Sequence, residues 1–155
     1  MKIHFICLGN TFRSRLADAY LQSLERPVVE VSSSGVIARE ANMDVICWYT
    51  KEILARENLL SFGKESWTQT DGESALGQDM VVFMHPSVYE IYDRNWDIPV
   101  VPFEVWDIED GEVWWDSMER RGASEEEKAV ALQGTQERYE LIVRRVDELV
   151  KRLHL

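Results

Sequence analysis

A short apolar run, Ile3 to Ile6, breaks directly into Cys7-Leu8-Gly9-Asn10-Thr11-Phe12-Arg13-Ser14 and then into a stretch with helical spacing. This order of strand, tight loop and helix constrains the chain more than any other segment, because it builds a phosphate-binding loop with a thiol at its floor. The strand end delivers Cys7, Gly9 and Asn10 tolerate the positive φ of a tight loop, and a helix starting near Ser14 aims its free N–H groups into the loop. That field holds a dianion and favours a thiolate over a thiol, so Cys7 is predicted to be a nucleophile at neutral pH. Arg13 adds a planar fork that matches two phosphate oxygens, and the Ser14 hydroxyl is placed to donate to the sulfur. A cysteine six residues before an arginine is common by chance, and the position between a strand and a helix is what gives this pair weight.

The remaining pattern alternates strands and helices. Arg15 to Leu24 carries Leu16, Ala19, Tyr20, Leu21 and Leu24 at helical spacing and stops before Pro27. Val28 to Val31 is a short β-branched run, followed by a turn, Ser32-Ser33-Ser34-Gly35. Met43 to Leu60 is predicted to be a second helix, and Gly63 to Gly77 has little pattern of its own. Met80 to Met84 is a continuous apolar run suited to the middle of a parallel sheet. Pro86 opens a helix to about Arg94, Ile98 to Phe103 is predicted as a fourth strand, and Glu104 to Gly122 as a long acidic, tryptophan-rich loop. Ser124 with Glu127 opens the last helix in capping-box form, and Tyr139, Ile142, Val143, Val146, Leu149, Val150 and Leu153 line its apolar face. The expectation is a single α/β domain over 1–155, a four-stranded parallel sheet with helices on both faces and right-handed crossovers, whose ligands bind beyond the carboxyl ends of the strands.

Composition narrows the partners. The 155 residues carry 17 Lys and Arg against 28 Asp and Glu, a net charge of −11, which argues against a nucleic-acid surface and against anionic membranes. Any anion site is therefore local. Cys7 and Cys47 match no zinc spacing and His4, His85 and His154 stand singly, so neither a metal nor a cofactor is expected. No stretch approaches the ~18 apolar residues of a membrane span and the start shows no export signal, which makes the cytoplasm the expected compartment.

The loop Cys7 to Ser14, with Leu16, Ala17 and the helix behind them, resembles the low-molecular-weight protein tyrosine phosphatase family. Ser32 to Gly35 is similar to the family's small-residue turn after its second strand, and Asp79 to Met84 to its third strand. The resemblance implies a flavodoxin-like sheet of order 2-1-3-4 and hydrolysis of phosphotyrosine monoesters through a phosphocysteine on Cys7, in a monomer or weak dimer acting on a phosphorylated protein or small aryl phosphate. It implies that Leu8, Gly9, Asn10, Thr11 and Phe12 lend backbone N–H groups to the phosphate, with Arg13 and Ser14 in their loop roles. It also implies an acid in the loop before the last helix. The family's Asp-Pro is absent, Trp106-Asp107-Ile108-Glu109-Asp110-Gly111 stands in its place, and Asp110 is the expected acid with Asp107 as runner-up. Trp114 and Trp115, with Trp48 and Tyr49 facing them, are candidate walls of a slot for a phenyl ring.

Three departures bear on function. Phe12 stands where many members carry a second, protective cysteine, and Cys47 is read as a core residue of the second helix rather than a substitute. Met84 and His85 stand where arsenate reductases of similar fold keep a relay cysteine, and His85 is read as a structural helix-entry residue. Thr11 matches the family's protein arginine phosphatases, whereas tyrosine-directed members place a larger apolar residue there. A phosphate-binding module without catalysis is the rival of another class. A nucleotide-binding flavodoxin-like protein is disfavoured by the absence of G-x-x-x-x-G-K.

Overall fold

The computed structural model describes residues 1–41, 46–116, 118 and 122–155, the side chain of Trp114 excepted. Within them four strands, β1 (Lys2–Cys7), β2 (Glu30–Gly35), β3 (Met80–Phe83) and β4 (Phe103–Val105), form one parallel sheet in the order β2-β1-β3-β4. The helices are α1 (Arg13–Ser23), α2 (Trp48–Arg56), α3 (Pro86–Asn95), the single turn α4 (Val113–Asp116) and the long α5 (Glu125–Arg152). No described helix is long and apolar enough to cross a membrane.

Side chains that alternate along the central strands divide the core in two, as a pleated strand requires. Ile3, Phe5 and Cys7 of β1, with Met80 and Val82 of β3, join the cluster covered by α1, α2 and α5, while Ile6, Val81 and Phe83 face the smaller cluster under α3. The apolar stripe of α5 lies on the larger side, with Tyr139, Ile142, Val146, Leu149 and Val150 buried. Its start is the expected capping box, Ser124 Oγ accepting from the Glu127 N–H and the Glu127 carboxylate accepting from the Ser124 N–H. The sheet order leaves the carboxyl end of β1 between β2 and β3, and the Cys7 loop starts there.

Three boundaries differ from expectation. The second strand runs through the serines, because their hydroxyls have partners within the fold: His4 reaches Ser32 Oγ at 2.7 Å through Nδ1 and Ser34 Oγ at 2.8 Å through Nε2, and Ser33 donates to Asp18 at 2.7 Å. Burial lowers His4 to a pKa of about 4, so the ring is neutral at pH 7. The fourth strand begins only at Phe103, since Pro99 and Pro102 have no N–H to give a sheet ladder and Ile98 and Val100 are exposed. The second helix starts at Trp48, with Ile46 and Cys47 ahead of it in non-helical backbone; Met43 and Val45 lie outside the described residues. The expected loop from Glu104 to Gly122 holds the last residues of β4 and the turn α4.

Candidate active site

The loop between β1 and α1 closes around one sulfur. Cys7 Sγ lies 2.9 Å from Ser14 Oγ and accepts from the Asn10 N–H at 3.2 Å. Asn10 takes φ +56°, the left-handed conformation that bends the loop back over the thiol. Its side chain fixes that bend from both ends, Nδ2 donating to Ser14 Oγ at 2.8 Å and Oδ1 accepting from the Thr68 N–H at 2.8 Å. Leu8, Gly9, Thr11, Phe12 and Arg13 line a cleft of about 220 Å³ with Cys7, whereas Asn10 and Ser14 work from behind the loop.

Arg13 is buried to 2% exposure and spans to the opposite side of the cleft. Nη1 donates to Ile108 O at 2.9 Å and Nη2 to Asp110 Oδ2 at 2.8 Å, while Nε has no partner among the described residues. A buried guanidinium N–H without an acceptor is costly unless a ligand supplies one. Asp110 lines the cleft, whereas Asp107, 78% exposed, turns away toward His85 Nε2 at 3.5 Å. His85 caps α3, its Nδ1 accepting from the Ser87 N–H, and also faces Glu109 at 3.6 Å.

The aromatic walls depart from expectation. Tyr49 lines the cleft and packs edge-on against Phe12 at 5.2 Å. Trp48 does not line it, because its indole N–H is spent on Trp115 O at 2.9 Å and its ring borders a separate hollow between α2 and α5. Trp115 is also absent from the lining: its ring is buried against α5, where Gly134 makes room for it, with the Arg138 guanidinium stacked at 5.1 Å. The Trp114 side chain falls outside the described residues. Val113 and the Asp116 carboxylate stand in the lining instead. Asp116 Oδ1 accepts from Tyr49 OH at 2.9 Å and from Cys47 Sγ at 3.5 Å. Cys47 is in the core cluster, as expected, yet it precedes α2 and also lines the cleft, its thiol 3.4 Å from Thr11 Oγ1. Burial pushes that thiol up to about 12 and pushes the Tyr49 phenol up as well, so both remain protonated donors at neutral pH.

Several supporting residues were not singled out from sequence. Arg15 lies behind the loop at 3% exposure, donating to Asn10 O at 3.1 Å, Ser33 Oγ at 3.3 Å and Ser66 O, with Asp18 3.7 Å away. Gly35 is pressed on the loop so closely that a Cβ would sit 2.5 Å from Leu8 O and 2.6 Å from Asn10 N. Arg138 on α5 donates to Glu109 O and Asp110 O at 3.1 and 3.0 Å and so holds the Asp110 segment. The sequence signal for Arg15 was its i, i+3 spacing to Asp18; Arg138 and Gly35 act across 28 and 25–27 residues, and only the resemblance of Ser32 to Gly35 to the family's turn touched the glycine.

A family model described as low molecular weight phosphotyrosine protein phosphatase matches residues 2–96, which includes the whole loop and stops short of Asp110. Among curated proteins, a protein-arginine-phosphatase from Geobacillus stearothermophilus is 49% identical over 41 residues, a stretch that covers 26% of this chain and 28% of that protein. Among solved structures, Vibrio vulnificus Wzb in complex with benzylphosphonate aligns with a TM-score of 0.75 at 19% identity, covering 97% of both chains. The YwlE arginine phosphatase from Geobacillus stearothermophilus aligns with a TM-score of 0.72 at 22% identity, covering 99% of this chain and 92% of that one. At these identities the structural likeness speaks for the flavodoxin-like fold, and the sequence match supplies the family. This chain belongs to the low molecular weight phosphotyrosine protein phosphatase family.

Proposed function

We propose that this protein is a cysteine-dependent protein phosphatase that works through a phosphocysteine, with phosphotyrosine monoesters as the substrate implied by its family. The observation that carries this reading is that Cys7, Arg13 and Asp110 line a single cleft, with the sulfur bonded to Ser14 and Asn10 and one buried Arg13 N–H without an acceptor among the described residues. The Cys7 thiolate attacks phosphorus, and the S–P bond forms as the bond to the leaving group breaks. Loop N–H groups from Leu8 to Phe12 and the Arg13 guanidinium hold the equatorial oxygens where charge gathers. Asp110 protonates the departing oxygen, then as a carboxylate takes a proton from the water that releases phosphate. Its place beside Arg13, with Asp107 turned outward, favours Asp110 over Asp107 for this role.

The test is turnover of p-nitrophenyl phosphate by the native protein and by Cys7→Ser. The reading expects a burst followed by steady hydrolysis, both lost in the variant. Phosphate binding without a burst or turnover would make the protein a silent phosphate-binding module.

One observation favours a second reading of the substrate. Thr11 lines the cleft, with Cys47 at its hydroxyl, and the residue type and the 41-residue likeness to a protein-arginine-phosphatase both fit a phosphorylated guanidinium.

A further inference from the structure

Asp116 is a carboxylate in the wall of the cleft that the phosphocysteine chemistry does not use. It ends α4, six residues beyond Asp110, and its orientation is set by buried donors: the hydroxyl of Tyr49, a residue 3% exposed, donates to Oδ1 at 2.9 Å and the Cys47 thiol approaches the same oxygen at 3.5 Å. Both donors stay protonated at neutral pH because of their burial. The position is therefore built into the wall from the start of α2, and Trp48 and Trp115, two of the three tryptophans expected there, are absent from the lining. Opposite the Cys7 loop the same lining takes Asp110, Gly111, Val113 and Asp116 from the segment before α5 and Tyr49 from α2.

The charge in this cleft is divided. Arg13 is paired with Asp110 at 2.8 Å, whereas the partners described for Asp116 are the uncharged Tyr49 hydroxyl and Cys47 thiol. A phenyl ring seated there desolvates Asp116 and returns no hydrogen bond to it, whereas a guanidinium returns N–H donors in the plane and spacing a carboxylate accepts. We infer that Asp116 is a specificity-determining residue that accepts an N–H from the guanidinium of phosphoarginine, and that it tips the choice between the two substrate readings above toward phosphoarginine in a protein or peptide. This rests on the phosphatase reading above. In the reaction the Cys7 sulfur bonds to phosphorus as the P–N bond breaks. The Asp110 proton goes to the departing nitrogen, so that arginine leaves as a guanidinium between Asp110 and Asp116. Water then cleaves the S–P bond, giving phosphate and returning the thiolate and the Asp110 proton.

The test measures kcat/KM for phosphoarginine and phosphotyrosine peptides of identical flanking sequence, with p-nitrophenyl phosphate as a third substrate, for the native protein and for Asp116→Asn and Asp116→Glu. The ratio of the two peptide values cancels the active fraction of each preparation, so a variant that folds poorly does not mimic the result. The expected outcome is a native preference for phosphoarginine of at least tenfold, a fall of that ratio by about tenfold in Asp116→Asn carried mainly by KM, and partial recovery in Asp116→Glu. A native preference for phosphotyrosine, or a ratio that Asp116→Asn leaves unmoved while p-nitrophenyl phosphate is hydrolysed, overturns the inference and leaves the phosphatase reading standing. Failure of the native protein to hydrolyse any of the three overturns both.

Discussion

On one side of the cleft Cys7, Asn10 and Ser14 are buried and bonded to each other, to Arg15 behind them and to the backbone at Thr68, and the buried Arg13 beside them reaches across to Ile108 O and Asp110. On the other side Asp110 and Asp116 are solvent-accessible carboxylates on the segment that leads into and through the turn α4, held through Arg13, Arg138 and Tyr49. The end proposed to hold phosphate is thus part of the core, and the end proposed to hold the leaving group is a strap laid over it. Changes on the loop side are expected to cost stability together with activity, and changes on the strap to cost rate or selectivity alone.

The largest effect on the strap is expected from Asp110→Asn, which removes the proposed proton donor, worth ~10²–10⁴ in rate, while the Asn oxygen can still accept from Arg13 and limits the loss of thermal midpoint. The loss should be greatest for aryl phosphates with basic leaving phenols; Asp107→Asn showing that pattern in its place would reverse the assignment of the acid. Next in size is the pH response of the buried side. The folded His4 ring has a pKa of about 4 against 6.5 for the free side chain, so between these values the unfolded chain binds the extra proton. The His4 contribution is complete above pH 6.5 and is lost as pH falls toward 4, by up to about 3 kcal/mol. Urea unfolding at pH 7.5 and 4.5 reads this, and His4→Gln should flatten the difference; an equal slope in both proteins would contradict it.

Gly35→Ala probes the seam between β2 and the loop. The added Cβ meets backbone atoms of Leu8, Gly9 and Asn10 at 2.5 to 2.7 Å, and backbone there cannot give way without moving the loop. Overpacking of this kind costs ~1–3 kcal/mol, with ~2–4 °C of Tm for each kcal/mol, and here activity should fall with it. Native activity in a destabilised Gly35→Ala protein would separate the loop from the core and break the comparison. The smallest effect concerns the second thiol. With its pKa pushed up to about 12 by burial, Cys47 should resist iodoacetamide at neutral pH while Cys7 is labelled, which peptide mass spectrometry checks.

The same contrast explains what the sequence could say. Strand, loop and helix are contiguous from Lys2 to Ser23, so local chemistry alone marked Cys7, Asn10, Arg13 and Ser14, and the four apolar runs led to the observed strand order once the resemblance was drawn. The serines of β2 were misread as a turn because their partners, His4 and Asp18, come from other elements. The pocket walls were harder still. Trp115, paired in sequence with Trp114, and Trp48, expected to face them, look like walls for a ring, and only the space left by Gly134, the Arg138 stack and the Trp48 bond to Trp115 O keep Trp115 and Trp48 out of the cleft lining. Asp116 carried no signal beyond its membership of an acidic loop, since Tyr49 and Cys47, which set its direction, lie 67 and 69 positions away.

The central claim is that the Cys7 sulfur bonds covalently to phosphorus inside this loop. Rapid-quench peptide mapping during turnover of an aryl phosphate reads it directly. The account predicts a phosphate adduct on the peptide carrying Cys7, accumulating more in Asp110→Asn when that carboxylate is needed to activate water, and absent from Cys7→Ser. Turnover with no adduct on Cys7, or hydrolysis that persists in Cys7→Ser, would contradict it.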